Sequence, residues 1–168
     1  MKNVMNIFYL CRDVHLCAQM LCDRHVVKMI LEYAQILCTA HYVLDKEIVG
    51  YKPTHVNHPS TKWCREGLGN YMWLYNMFIA TLNEYTYRYG KVHKSSELVE
   101  VLQTPPDNIP LRAFEEPPQA MPEEYKSVRG SIDAYRNYYA YGKAHLHAWK
   151  RRPTPQFIPV TLLVQECE

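Results

Sequence analysis

His25, Lys28, Glu32, Gln35 and Thr39 bring an imidazole, an amine, a carboxylate, an amide and a hydroxyl into one short stretch at helical spacing. At 3.6 residues per turn they fall within an arc of roughly 80°. Of the 15 residues from Val26 to Ala40, eleven are apolar or aromatic, so the rest of the circumference suits a core. A surface helix shows the reverse, a wide polar face with a narrower apolar stripe. Ionisable groups on a buried helix need either water in a cleft or partners on a neighbouring element. In a cleft, a desolvated Lys28 could act as a nucleophile while Glu32 or His25 moves protons. The same spacing also permits a purely structural Lys28–Glu32 pair at i, i+4.

A second stripe repeats the design with Asn70, Thr81, Glu84, Arg88 and Lys91, although Leu74 and Met77 interrupt it. Glu84 and Arg88 are four apart and are also spaced to pair with each other. If the two stripes face one another, Glu32 or Lys28 comes within hydrogen-bond reach of Glu84, Arg88 or Lys91. The candidate catalytic residues are then Lys28, Glu32, His25 and Glu84, with Gln35, Asn70, Arg88 and Lys91 contacting substrate. Between the stripes, His55 to Trp63 ends at a predicted helix start, where free N–H groups favour an anion and His58, Ser60 and Lys62 could assist at a phosphate. Ser60 reads equally well as a plain N-cap. His55 and His58 have a metal-like spacing, but no nearby Cys or His completes a ligand set, so neither a metal nor a cofactor is expected. Towards the C-terminus, Tyr135, Arg136, Tyr138, Tyr139, Tyr141, Lys143 and Trp149 precede Lys150-Arg151-Arg152. Aromatics interleaved with bases suit stacking and phosphate contacts on unpaired nucleic acid, with Arg136 and Tyr139 as candidate contacts.

These groups must be positioned by helices. Asp13 can cap a first helix ending near Asp23, and Asp23 a second reaching about Tyr42. Ser60 can cap a third, and the pattern from Gly69 runs to Gly90, placed as a C-terminal glycine. A short helix follows from Ser95 or Ser96 to about Gln103, and Ser131 opens a last one reaching about Lys150. Only Asn6 to Leu10 and Ile158 to Val164 alternate as short strands do. Between Thr104 and Pro122 six prolines forbid regular structure, while Leu111, Phe114 and Met121 offer apolar anchors, which predicts a loop lying over the mouth of the cleft. The expected fold is mainly α, a single compact helical domain over 1–168 with a long proline-rich loop at 104–122.

Composition agrees. The 168 residues, 48% hydrophobic and 21% charged, suit one globular domain and exclude a disordered or collagen-like chain. No apolar stretch approaches the roughly 20 residues that cross a bilayer, and the opening residues are too short an apolar run for a secretory signal. Six cysteines without a C-x-x-C pair read as reduced thiols, so a cytoplasmic protein is expected, with no membrane partner. From Glu97 to Glu124 seven acids stand against one base, whereas the remainder carries 18 bases against 10 acids. A basic body with one acidic segment permits an anionic partner. Nucleic acid fits that description, and so does a nucleotide or signalling molecule held without chemistry; neither observation sets an oligomeric state.

The string Asp23-Arg24-His25-Val26-Val27-Lys28-Met29-Ile30-Leu31-Glu32-Tyr33-Ala34-Gln35, with His58-Pro59-Ser60, Asn70-Tyr71, Glu84 to Lys91, Gln119 to Pro122 and Tyr135 to Tyr139, resembles a family of small tailed-phage proteins. More distantly, the order of elements resembles the phage pyrimidine-dimer DNA glycosylases. That resemblance implies an all-α fold, attack on the sugar C1′ by an N-terminal amine, a glutamate nearby, and strand cleavage by β-elimination within a host cell's cytoplasm. Lys2 is too large a neighbour for removal of Met1, so the small N-terminal residue of those enzymes is absent here. Lys28 is the expected substitute, giving a glycosylase/lyase or base-modifying enzyme that acts on a flipped base.

Overall fold

Helix α1 (Val14–Met20) begins where Asp13 accepts a hydrogen bond from the Leu16 N–H at 2.9 Å, satisfying one of the free donors of its first turn. The computed structural model describes residues 5–159. Helix α2 (Asp23–Asp45) follows directly, capped by Cys22 and not by Asp23. The Asp23 carboxylate is occupied elsewhere, by the Arg88 guanidinium and the Lys150 N–H. Helix α3 (Pro59–Arg65) starts with proline at a position where its missing N–H costs nothing, and its cap is His58, whose Nδ1 accepts from the Ser60 N–H. Ser60 is therefore inside the helix and not its cap. Helix α4 (Leu68–Tyr89) ends on Gly90 at φ 67°, the left-handed conformation that glycine adopts without penalty.

Beyond α4 the chain is less regular than its pattern suggests. A 3₁₀ segment (Lys94–Leu98) runs into the single turn of α5 (Val99–Leu102), opened by His93 accepting from the Ser95 N–H. Helix α6 (Ser131–Asn137) stops well short of Lys150: it widens into a π-helical turn (Tyr138–Gly142) and then a 3₁₀ turn (Ala144–Leu146). A side chain at Gly142 would collide with the Tyr138 ring, so the wide turn can close only on glycine. No strand forms among the described residues. Asn6 to Leu10 is buried instead as a lone segment, its start fastened by the Asn6 side chain, which accepts from the N–H groups of Ile7 and Phe8. Most of the other expected strand, like Cys167, lies outside the described residues. The five described cysteines form no disulfide, and four of them are buried. Among the described residues no helix is long and apolar enough to cross a membrane.

Helices α2 and α4 form an antiparallel central pair. At one end His41 lies 2.9 Å from the Tyr71 hydroxyl, and at the other Arg88 meets Asp23. Helix α1 packs on α4 and α3 on α2. This register decides the fate of the second stripe. Arg88, its side chain wholly buried, donates to Glu84 at 2.7 Å, to Asp23 at 3.0 Å and to the Gln19 carbonyl at 2.9 Å. Arg152 completes the network with two hydrogen bonds to Glu84, at 3.0 and 2.9 Å. Burial alone would raise the Glu84 carboxyl, but the hydrogen bonds and charges of Arg152 and Arg88 outweigh it and hold it below the ordinary carboxylate range. Glu32 lies nine residues beyond Asp23 along α2, roughly 13 Å at 1.5 Å per residue. Neither Glu32 nor Lys28 is among the hydrogen-bond partners of Glu84, Arg88 or Lys91 in the described residues, so the expected contact is not made.

The proline-rich segment is a strap tied down at its polar atoms. Carbonyls of Pro110 and Arg112 accept from the N–H groups of Leu68 and Gly69, which satisfies donors at the start of α4. The approach is close enough that any side chain at Gly69 would strike the backbone at Phe114. Further along, Trp63 donates to the Glu115 carbonyl, Ser131 to that of Pro117 and Tyr135 to that of Pro118. Phe114 packs against Trp63 and Trp73, whereas Leu111, expected as an anchor, is 87% exposed.

Because Arg88 joins α4 to α1 and α2 while wholly buried, Arg88→Ala leaves Asp23 and Glu84 without their partner. The expected loss is about 3–5 kcal/mol in urea denaturation at neutral pH, against less than about 1 kcal/mol for Lys91→Ala on the exposed surface beyond Gly90.

Candidate active site

The first part of the stripe on α2 opens into a cavity of about 660 Å³. His25, Lys28 and Glu32 form one wall, and His58 and Pro59 at the head of α3 form a second. Asn6 and Phe8 contribute from the buried N-terminal segment, Gln119 to Pro122 from the end of the strap, and Lys126, Tyr138 and Lys143 from the C-terminal region. Phe8 holds an unusual backbone conformation for a bulky residue, φ 55°. The Asn6 carboxamide stabilises it by taking two N–H groups and donating to the Ala120 carbonyl at 3.0 Å, so it also joins this segment to the strap. The Phe8 ring stacks on His25 with centroids 4.2 Å apart.

Glu32 is 6% exposed and makes no hydrogen bond to a described residue. Burial pushes its carboxyl up to about 7, with the charges of Lys28 and Lys143 opposing the rise. It therefore exchanges a proton near neutrality, which suits general acid–base chemistry. His25 behaves oppositely: burial, aided by the charges of Lys143, Lys28 and Arg24, pushes it down to about 3. A ring so depressed is neutral at physiological pH. Lys28 is exposed at the edge of the cavity, which corrects the expectation that it is desolvated. Lys126 is half-exposed and paired with Glu123, and Lys143 lies 5.0 Å from the Tyr138 ring centroid. No cluster of His, Cys, Asp or Glu suited to a metal is found among the described residues.

Residues 5–98, more than half of the chain, match the family model for pyrimidine dimer DNA glycosylase. The chain belongs to that family. Neither a curated protein nor a solved structure matches it significantly. Membership in the pyrimidine dimer DNA glycosylase family implies a DNA substrate and a glycosylase-like role in repair. The match takes in α1 to α4 and with them the His25, Lys28 and Glu32 wall. The strap end, Lys126, Tyr138 and Lys143 lie outside it, so half of the cavity's lining is built by sequence beyond the glycosylase match. Residues 1–4 lie outside the described residues.

Of the candidate residues, His25, Lys28, Glu32 and His58 meet at the cavity, and the others stand apart. Glu84 and Arg88 serve the ion network described above. Asn70 is buried and spans between the Trp63 carbonyl and the Glu115 N–H, fastening the strap. Lys62 borders a separate, smaller cavity with Trp63 and Glu115, Ser60 is buried, and Lys91 is exposed on the surface. Gln35 falls beyond the cavity's lining; its carbonyl accepts from Thr39, whose hydroxyl also accepts from the Thr54 N–H. Arg136 is tied to the Leu10 carbonyl and lies over Phe157. Tyr139 is wholly buried behind His25 and so is no surface for substrate. Residue type at helical spacing does not say which neighbour already holds a side chain.

Asn6, Phe8, Gln119 and Lys143 were not anticipated as site residues. For Lys143 a signal existed, a base among tyrosines, but the π-helical turn that swings it to the cavity has no marker beyond Gly142.

A carboxyl raised from 4.5 to about 7 binds more protons in the folded than in the unfolded state across that window, so its contribution to stability falls as pH rises through it. Glu32→Gln removes the penalty. The variant is expected to match the parent near pH 4.5 and to exceed it by about 3 kcal/mol at pH 8 in chemical denaturation. Equal stability at both pH values would show a solvated carboxylate.

Proposed function

We propose that this protein excises a damaged pyrimidine from DNA and then cleaves the strand at the resulting abasic site. A duplex base cannot reach a buried carboxyl, so the nucleotide is flipped out of the stack into the cavity. A volume of about 660 Å³ accommodates it, and Lys126 and Lys143 supply charge for the flanking phosphates. The observation that carries the proposal is Glu32: a buried carboxyl able to exchange protons at neutral pH, one helical turn from a primary amine, in a glycosylase family member.

In this scheme the carboxylate form of Glu32 takes the proton that Lys28 must lose to become nucleophilic. Attack of the amine on C1′ forms the N–C1′ bond and breaks the glycosidic bond, whose electron pair leaves with the base and is protonated there. Opening of the sugar then moves a proton to O4′ and yields a Schiff base between C1′ and Lys28. Loss of a C2′ proton expels the 3′ phosphate by β-elimination, and water releases the enzyme. Every proton passes through Glu32 or solvent, and no metal or redox partner is needed.

Borohydride added during incubation with ultraviolet-damaged duplex DNA should trap a covalent protein–DNA adduct. Glu32→Gln is expected to lower trapping by about a hundredfold, the usual worth of a general acid–base, and Lys28→Ala to abolish it. An adduct that persists in Lys28→Ala would move the nucleophile to another amine while retaining the reaction. Absence of both adduct and strand cleavage on damaged duplex would overturn the proposal. Strong thermal stabilisation by a mononucleotide and none by DNA would replace it with a nucleotide-binding role.

A further inference from the structure

Behind the cavity wall, the His25 ring rests on the hydroxyl of Tyr139, 2.6 Å from its Nδ1. That hydroxyl also accepts from the Cys22 N–H at 3.0 Å and lies 3.3 Å from the Cys22 sulfur. Phe8 stacks on the ring at 4.2 Å, so its orientation is set both by stacking and by hydrogen bonding. The hydroxyl already accepts from the Cys22 N–H, which leaves its proton to be given either to Nδ1 or to the Cys22 sulfur. Its single proton goes to Nδ1 in preference to the weakly accepting thiol. A neutral imidazole that accepts at Nδ1 carries its own proton on Nε2. Nε2 has no partner among the described residues, and the ring lines the cavity.

We propose that Tyr139 is a positioning residue that fixes His25 in the Nε2–H tautomer, aiming a neutral N–H donor at the pyrimidine O2 of the flipped nucleotide. The proposal rests on the excision reaction above and names the group that assists its departure. As the glycosidic bond breaks, the electron pair spreads from N1 onto O2, and a donor already in place there stabilises charge that the ground state lacks. The depressed titration of His25 agrees, since a ring that stays neutral donates without exchanging its proton. The assignment also changes the meaning of the π-helical turn: Tyr139 lies within it, and its widened geometry carries the hydroxyl to the start of α2.

Nitrogen-15 NMR of the His25 side chain in the free protein reports the tautomer directly and requires no activity. The expected result is protonation at Nε2 throughout pH 5 to 8; a ring protonated at Nδ1 would overturn the proposal. In Tyr139→Phe the ring should become a mixture of tautomers. Base release from damaged duplex should then fall about tenfold or more in kcat with KM little changed, the worth of one transition-state hydrogen bond. Cleavage of DNA that already contains an abasic site should be unaffected, because no base departs from it. Equal loss of both steps in folded Tyr139→Phe, judged by its circular dichroism, would assign Tyr139 a merely structural role. Should the parent protein show no base release, the excision reaction fails while the tautomer measurement still tests the geometry at His25.

Discussion

The antiparallel register of α2 on α4 governs the rest of the molecule, and the buried guanidinium of Arg88 locks it. A wholly buried arginine persists only when its donors are matched, and here two carboxylates and a carbonyl from three elements match them. Satisfying them places the C-terminal end of α4 against the N-terminal end of α2 and draws Arg152 in from the end of the described chain. With α4 held to one side of α2, the polar arc of α2 is left facing the strap, the N-terminal segment and the region after α6. The cavity is the space enclosed by these irregular parts.

That arrangement explains how a helix can be apolar over most of its circumference and still carry His25, Lys28 and Glu32. The apolar arc meets the core, where Met29, Ile30, Tyr33 and Ile36 are fully covered. The polar arc meets chain that is rich in proline and in backbone hydrogen bonds made by side chains, a wall that seals without filling. Burial then separates the proton chemistry of two neighbours on one helix. It penalises the charged form of each, which raises the acid Glu32 towards neutrality and drives the base His25 far below it. One is left to titrate near neutrality and the other stays neutral.

The strap and the π-helical turn perform the same task from opposite sides. The strap gives carbonyls to the start of α4 and receives hydrogen bonds from Trp63, Ser131 and Tyr135, so its conformation is set by long-range partners and not by its own sequence. Only its last residues, Gln119 to Pro122, reach the cavity. The π-helical turn brings Tyr138 and Lys143 to the opening and Tyr139 behind it. Both regions lie beyond the glycosylase match, so this half of the lining is built by residues outside 5–98.

Local chemistry made much of the helical framework legible in the sequence. Asp13, Gly90 and the mainly α pattern act through neighbouring residues, and the polar arc of His25, Lys28 and Glu32 follows from periodicity alone. Where two local solutions competed, tertiary contacts chose: His58 and not Ser60 caps α3, and Asp23 serves Arg88 and the Lys150 N–H instead of capping α2. The same holds for Glu84, Arg88, Asn70 and Tyr139, which have the residue types of a site and the partners of a scaffold. Asn6 and Phe8 became part of the site through contacts more than a hundred residues away in sequence, at Ala120 and Tyr139. Periodicity reports which side of a helix a residue occupies, but the identity of what faces it depends on the register between helices, and that was set by the pairing of buried charges.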